Sequence, residues 1–240
     1  MFELCEESKD IPNSDEWIYE LKFDGERVRA IKKGERVELW NRNRKTNQLQ
    51  FEKSLQYPEI IEDLMLQIHD FTIDGELSCA DLSKGLNEFN KRALSQDKFK
   101  IKFLVEQIPI KFRVFDVLEV DGVDVTKEKL IIRKTILNSF IDETDNIEIV
   151  RYCFDGKELW NEVLKNGYEG MIAKRKNSVY VPKRTFDWLK IKFQKELIVN
   201  IEGFKETSGQ GSYGGLITDR CDVAIRTLQQ LKEYLNIKPT

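Results

Sequence analysis

Lys22 closes the segment Trp17-Ile-Tyr-Glu-Leu-Lys22 and immediately precedes Phe23-Asp24-Gly25. Strand alternation places Ile18, Glu20 and Lys22 on one face and Trp17, Tyr19 and Leu21 on the other. A lysine at the end of a strand is held rigidly, and the Asp-Gly turn presents it. At its ordinary pKa of about 10.4, only a few parts in about ten thousand are neutral at pH 7, so the amine is a poor nucleophile. Neighbouring cations such as Arg27 would lower that pKa and expose an amine able to form a covalent intermediate. Taken alone, the segment reads more simply as a Lys–Asp ion pair beside a hairpin.

Four later segments change that balance. Asp74-Gly75-Glu76 ends one apolar run, and Phe115-Asp116-Val117-Leu118 lies in another. Glu169-Gly170-Met-Ile-Ala-Lys174 and Trp188-Leu-Lys190-Ile-Lys192 follow. In the last of these, Trp188, Lys190 and Lys192 share one strand face, with the two lysine Cα atoms about 7 Å apart. Two ammonium groups beside an apolar face call for an anion, and they would help to depress the pKa of Lys22. Asp116 is polar within an apolar run, which marks the neighbourhood of Phe115 as a site. Glu169 and Lys174 are five apart, so an ideal strand sends them to opposite faces, and a bulge or twist near Gly170 is expected.

In this order, KxDG, DGE, FDxL, EGhhhK and WLKhK (h, apolar) resemble the adenylation domain of ATP-dependent DNA ligases. These are covalent nucleotidyltransferases, a group that includes RNA ligases and mRNA capping enzymes. The resemblance spans roughly residues 15–195 and is strongest to small bacterial and phage ligases and to the ligase module of bacterial end-joining proteins. It implies that Lys22 attacks the α-phosphate of ATP to form lysyl–AMP. Glu20 and Leu21 would lie near the adenine pocket, with Phe115 stacked on the base. Arg27, Lys174, Lys190 and Lys192 would contact the nucleotide's ribose or phosphates, and Arg42 the nick phosphate. Glu76 would bind the ribose or a metal ion, and Glu169 would be a second carboxylate for Mg²⁺. Phe89-Asn90-Lys91-Arg92 is similar to a segment of bacterial ligases and is expected as a helix on the nucleotide site. The implied function is sealing of nicked duplex DNA, with sequence-independent phosphate contacts from Arg42, Arg44, Lys45, Lys183 and Arg184. An RNA ligase or RNA end-adenylating enzyme, and a non-catalytic DNA-binding relic, are the alternatives.

These residues need elements to hold them. Strands are expected at 17–31 around a turn at Asp24-Gly25, with a Lys33-Gly34 hairpin into RVELWN, then at 71–77, 110–120, 147–154, 168–175 and 186–193. Helices are expected at 58–70 with apolar Ile61, Leu64, Met65 and Ile68, from a Thr126 cap to about Ile141, and at 156–167 with Gly167 at the C-terminus. Many hairpins and few helices argue an α+β class with mainly antiparallel sheets. The resemblance refines this to a nucleotidyltransferase (ATP-grasp-like) fold over residues 1–193. Residues 194–240 would be a truncated or degenerate OB-like segment, with a glycine-rich loop at 208–215 and a helix near 222–236. Full ligases of this type carry a complete OB domain there, with a final basic motif; Arg220 and Arg226 are isolated here, so a protein partner completing that function is expected.

Composition sets the outer bounds. The chain has 240 residues with 39 Lys+Arg and 42 Asp+Glu. The charge is uneven: residues 1–21 are net −6, residues 22–45 net +5 and residues 174–195 net +7. Two basic stretches in an acidic chain suggest a localised anion site, although solvated charged faces read as well. One histidine and four scattered cysteines argue against His-based metal sites, Ser-His triads and a disulfide framework. No run of about 18 apolar residues is present, and the N-terminus lacks a signal-peptide core. A monomeric, cytoplasmic protein without a membrane span is the expectation.

Overall fold

The computed structural model describes residues 1–193 in full and, beyond them, the backbone of 201–205, 215–218 and 223–224. In chain order the elements are β1 (Leu4–Glu7), β2 (Trp17–Leu21), β3 (Gly25–Lys33), β4 (Arg36–Arg42), β5 (Leu49–Glu52), α1 (Pro58–Met65), β6 (Phe71–Cys79), α2 (Leu86–Ala93) and α3 (Lys98–Gln107). There follow β7 (Ile110–Val120), β8 (Val123–Asp124), α4 (Leu130–Phe140), β9 (Ile147–Ile149), β10 (Tyr152–Cys153), α5 (Gly156–Asn166), β11 (Gly170–Arg175) and β12 (Arg184–Lys192). The second unit, Gln194–Thr240, contributes β13 (Ile201–Lys205), β14 (Gly215–Thr218) and β15 (Val223–Ala224).

Residues 1–193 fold around two sheets. The larger runs β5-β4-β3-β6-β7-β8, with β9 alongside β7; the smaller runs β1-β12-β11-β2-β10. Only the β1–β12 and β7–β9 pairings of these sheets are parallel, so the α+β class with mainly antiparallel sheets is as expected. The larger sheet buries Ile73 and Leu77 of β6 and Phe112, Val114 and Val117 of β7 together with Ile60 and Leu64 of α1 and Phe89 of α2. Each such side chain contributes roughly 1.5–3 kcal/mol by leaving water. The smaller sheet packs Tyr19, Met171, Ala173 and Ile191 against Leu159 and Trp160 of α5. A third cluster, Leu118, Tyr180 and Trp188 with Phe115 and Cys5, joins β7 of one sheet to β1 and β12 of the other.

Several expectations need correction. The two strands of 17–31 are present but fall in different sheets, β2 in the smaller and β3 in the larger, while β3 and β4 form the expected hairpin at Lys33-Gly34. The segment 147–154 divides likewise, β9 joining β7 and β10 joining β2. Helix α1 stops at Met65, leaving Met65 and Ile68 exposed. The chain departs there because the Gln67 amide clamps the backbone of Asp142 with two hydrogen bonds, of 3.1 and 2.9 Å. Helix α4 begins at Leu130, not at a Thr126 cap. The N–H groups of Leu130 and Ile131 donate instead to the carbonyls of Ser178 and Lys176, at 2.8 and 2.9 Å. Asp116 is a structural anchor rather than a site marker: it is fully buried in a two-bond pair with Arg133 of α4, each bond 2.8 Å. The Phe89–Arg92 segment is helical, but its Phe89 and Arg92 belong to the core of the larger sheet, where Arg92 chelates Glu59 at 2.6 Å. Beyond Phe193, β13 and β14 pair antiparallel and Val223–Ala224 adds a strand where a helix was expected. The glycine loop through 214, and residues 222 and 225–236 of that helix, lie outside the described residues.

Candidate active site

Lys22 stands where the chain leaves one sheet for the other. Its N–H donates to the Gly170 carbonyl at 3.0 Å, pinning it beside β11. Three residues later the chain enters the larger sheet at Gly25, so close to β6 that a Cβ on Gly25 would lie 1.9 Å from the Leu77 carbonyl oxygen. The side chain of Lys22 is thus delivered between the sheets, and its Nζ forms an ion pair with Glu169. The parity difficulty between Glu169 and Lys174 is resolved without a bulge. Strand β11 starts at Gly170, pairs in regular register, and leaves Glu169 ahead of it. Gly170 has φ 146°, and a Cβ there would meet the Ile191 carbonyl oxygen at 2.1 Å, so the redirection requires glycine.

Behind Lys22 lies a cavity of about 290 Å³, at the lower edge of the size of small-molecule sites. One end is aromatic: Phe115 and Trp188 meet edge to face at 6.0 Å. The Lys174 ammonium stands 4.4 Å from the Phe115 ring and 4.1 Å from the Trp188 ring, and bonds Glu20 at 2.6 Å. Arg27 lies 5.1 Å from Phe115 and bonds Asp74 at 2.9 Å. Seven lining side chains are cations and three are carboxylates, a balance that draws a polyanion. Burial, with Arg27 and Arg44 nearby, holds the Arg42 guanidinium below its ordinary pKa, which again favours an incoming anion.

Of the residues singled out from sequence, Glu20, Leu21, Lys22, Arg27, Arg42, Glu76, Phe115, Lys174 and Lys190 line this one cavity. Glu169 reaches it through Lys22. Lys192 is not in the lining; it stands 3.8 Å from Glu7, which also meets Lys190 at 3.2 Å. The two ammonium groups therefore already have an anion, because β1 pairs with β12 and sets Glu7 opposite Lys190. The direct partner of Lys22 is likewise a carboxylate, not the cations expected from sequence. Strand β1 was missed altogether, although its Leu4 and Cys5 line the cavity; the alternation of Phe2 and Leu4 was its signal. Lys134, beside Arg133 in an apolar run, was missed too and pairs with Glu20.

The carboxylates differ sharply. Burial raises the Asp74 carboxyl, but Arg27, Arg29 and the Tyr180 hydroxyl outweigh it and hold Asp74 at about 2. Burial pushes Glu76 up to about 8, against the pull of Lys22 and Arg27 and with Glu169 and Glu26 adding repulsion. Oε2 of Glu169 is buried and accepts no hydrogen bond. Among the described residues no three acids, cysteines or histidines gather to hold a metal ion. Two under-satisfied carboxylates beside a phosphate-sized, cationic cavity do suit Mg²⁺, which binds through one or two carboxylates and takes its other ligands from phosphate and water.

A family model described as an ATP dependent DNA ligase domain matches residues 3–192. The chain belongs to the ATP-dependent DNA ligase family. It is 30% identical over 192 residues to the DNA ligase of Thermococcus fumicolans, covering 74% of this chain and 32% of that protein. It is 31% identical over 183 residues to a probable DNA ligase of Aquifex aeolicus, covering 72% and 30%. The chain thus spans about a third of the length of these curated ligases. The ligase fold is shared with mycobacterial DNA ligase D complexed with ATP and MES, at TM-score 0.64 and 24% identity over all of this chain and 78% of that one. It is shared also with a Lig E DNA ligase, at TM-score 0.60 and 21% identity over 90% and 78%. The adenylation-domain resemblance of the five motifs is borne out at the level of family and fold.

Proposed function

We propose that this chain is the catalytic core of an ATP-dependent DNA ligase and that Lys22 carries AMP. Nζ of Lys22 attacks the α-phosphate of ATP; the new N–P bond replaces the bond to the β-phosphate oxygen, and pyrophosphate leaves. The ammonium must first shed a proton, and Glu169, already in contact with it, is placed to accept one. Phe115 stacks on the base, Glu20 and Leu21 border its edge, and Arg27, Lys174 and Lys190 meet the ribose and phosphates. Lys192, held by Glu7 outside the cavity, serves the departing pyrophosphate. Glu76 and Glu169 would hold Mg²⁺, which supplies charge neutralisation at the α-phosphate.

AMP then passes to the 5′-phosphate of a nick, and the 3′-hydroxyl displaces it to join the strand. Arg42 with Arg44 and Arg184 at the cavity mouth meets the nick phosphate; Arg suits this because its planar fork binds phosphate through two bonds. Residues 194–240, whose β13, β14 and β15 pair antiparallel, act as an OB-like segment that adds to the grip on DNA. A monomer working in the cytoplasm on nicked duplex fits this reading; among the described residues no helix is long and apolar enough to cross a membrane.

The observation that carries the proposal is the convergence on one cavity of the Lys22 amine with its Glu169 partner, the Glu76 carboxylate, an aromatic end and a cationic wall. Incubation with labelled ATP and Mg²⁺ tests it. Wild type forms a protein–AMP adduct that Lys22→Ala abolishes; an adduct of equal intensity in the variant rejects the assignment. Transfer to nicked DNA in preference to nicked RNA is expected, and the reverse preference identifies an RNA ligase. Good DNA binding with no adduct identifies a non-catalytic relic.

A further inference from the structure

Lys134 has no place in the chemistry above, yet it is buried at the rear of the site. It projects from α4, with its side chain 1% exposed, and does not line the cavity. Its partner is Glu20, which does line the cavity and is itself 2% exposed. Glu20 therefore meets two ammonium groups, Lys134 at Oε1 and Lys174 at Oε2, the second at 2.6 Å. Burial raises the Glu20 carboxyl, and the two lysines together more than reverse this and hold it below the ordinary range.

The two lysines are not equivalent. Lys174 lies over the rings of Phe115 and Trp188 and lines the cavity, so a bound phosphate or ribose competes for it. Lys134 faces no such competitor. It is anchored by α4, whose neighbouring Arg133 is locked to Asp116 of β7. Oε1 of Glu20 is held by the Lys134 ammonium, and a carboxylate oxygen with two lone pairs can accept a second donor beside it. Glu20 is also directly across from Ile172, another lining residue, in the β2–β11 register. A fixed, ionised carboxylate beside the aromatic end of the cavity accepts from an exocyclic amine and repels a carbonyl oxygen. Adenine presents the amine at N6, where guanine presents O6.

We propose that Lys134 is a positioning residue for nucleobase choice: from behind the site it keeps Glu20 charged and oriented, so that the cavity takes adenine and rejects guanine. This deepens the nucleotide-binding part of the reading above and rests on it, but not on transfer of AMP to Lys22. With Lys134 neutralised, Glu20 has only Lys174 to oppose the cost of burial. A protonated Glu20 carries an O–H that donates to guanine O6, and the discrimination falls.

Equilibrium binding of ATP and GTP by calorimetry in magnesium-free buffer, with circular dichroism to verify folding, tests this without turnover. Lys134→Met should lower the ATP-over-GTP affinity ratio about tenfold or more, and Lys134→Arg should restore most of it. Glu20→Gln should cause a comparable loss, and adding Lys134→Met to it should change the ratio no further. If Lys134→Met does not fold, Lys134→Gln, which donates without a charge, takes its place with the same expected loss. A folded uncharged variant with the wild-type ratio overturns the inference. So do losses that add fully on the Glu20→Gln background, or a wild-type protein indifferent between ATP and GTP. A wild-type protein that prefers ATP but forms no adduct rejects the Lys22 assignment while leaving the role of Lys134 standing.

Discussion

Asp74 and Glu76 are two residues apart on β6, point to the same side of the sheet, and have opposite fates. Asp74 is fully buried and bonded to Arg27, Arg29 and Tyr180, at 2.9, 3.3 and 2.6 Å. Glu76 sits at the cavity wall facing Lys22 and Arg27 with no ion pair among the described residues, and burial lifts its carboxyl to about 8. Burial alone does not decide what a carboxylate is for; the number of cations and donors already committed to it does. Asp74 is spent on holding Arg27 against Phe2, Phe115 and Trp188. Glu76 is left with capacity for something the chain does not itself supply.

Removing the satisfied partner is expected to do the most damage. Asp74→Ala strands two arginines and a tyrosine hydroxyl inside the protein and should cost about 3–5 kcal/mol of stability, read from the urea midpoint. Glu76→Gln should not destabilise the fold but should slow adduct formation by about 10²–10³, a loss typical of removing one electrostatic contact to a transition state. If Glu76→Gln unfolds the protein while Asp74→Ala does not, the contrast is inverted.

The pH profile sharpens the same contrast. Glu76, raised from 4.5 to about 8, binds a proton in the folded state that the unfolded chain has lost. Its contribution to stability therefore falls as pH rises from about 4.5 to 8. Asp74, lowered from 3.8 to about 2, contributes stability above pH 3.8 that is lost as pH falls towards 2. Melting temperature in wild type should thus drop by a few degrees between pH 5 and 8, with a shallower fall in Glu76→Gln. The slope that survives in the variant is assigned to Glu3, which burial raises to about 7. Identical slopes in both proteins would separate Glu76 from this behaviour. The smallest effect belongs to the rim. Arg42→Ala should weaken DNA binding evenly across sequences and reduce the salt slope by about one.

How much of this was legible from sequence depends on what kind of information each residue carries. Strand alternation and the family resemblance brought nine of the candidate site residues to one cavity wall. Local pattern also located β6, β7 and α5 closely, because each buries a continuous apolar face. What local pattern does not encode is which sheet a strand joins. The crossing from β2 to β3, which delivers Lys22, looks like a hairpin in sequence because Asp24-Gly25 is an ordinary turn signal. Pairing of charges over long separations was equally hidden. Glu7 with Lys190, Glu169 with Lys22 and Lys134 with Glu20 are set by sheet register and helix docking; the cations expected to crowd Lys22 already face carboxylates, Arg27 facing Asp74 and the pair Lys190 and Lys192 sharing Glu7.

The amine delivered at the sheet crossing is proposed as the covalent carrier of AMP. Peptide mapping by mass spectrometry after incubation with ATP and Mg²⁺ tests it most directly. One AMP is expected on the peptide that contains Lys22, and none in Lys22→Ala. AMP on a different lysine, or none on a folded protein that binds ATP, would contradict it.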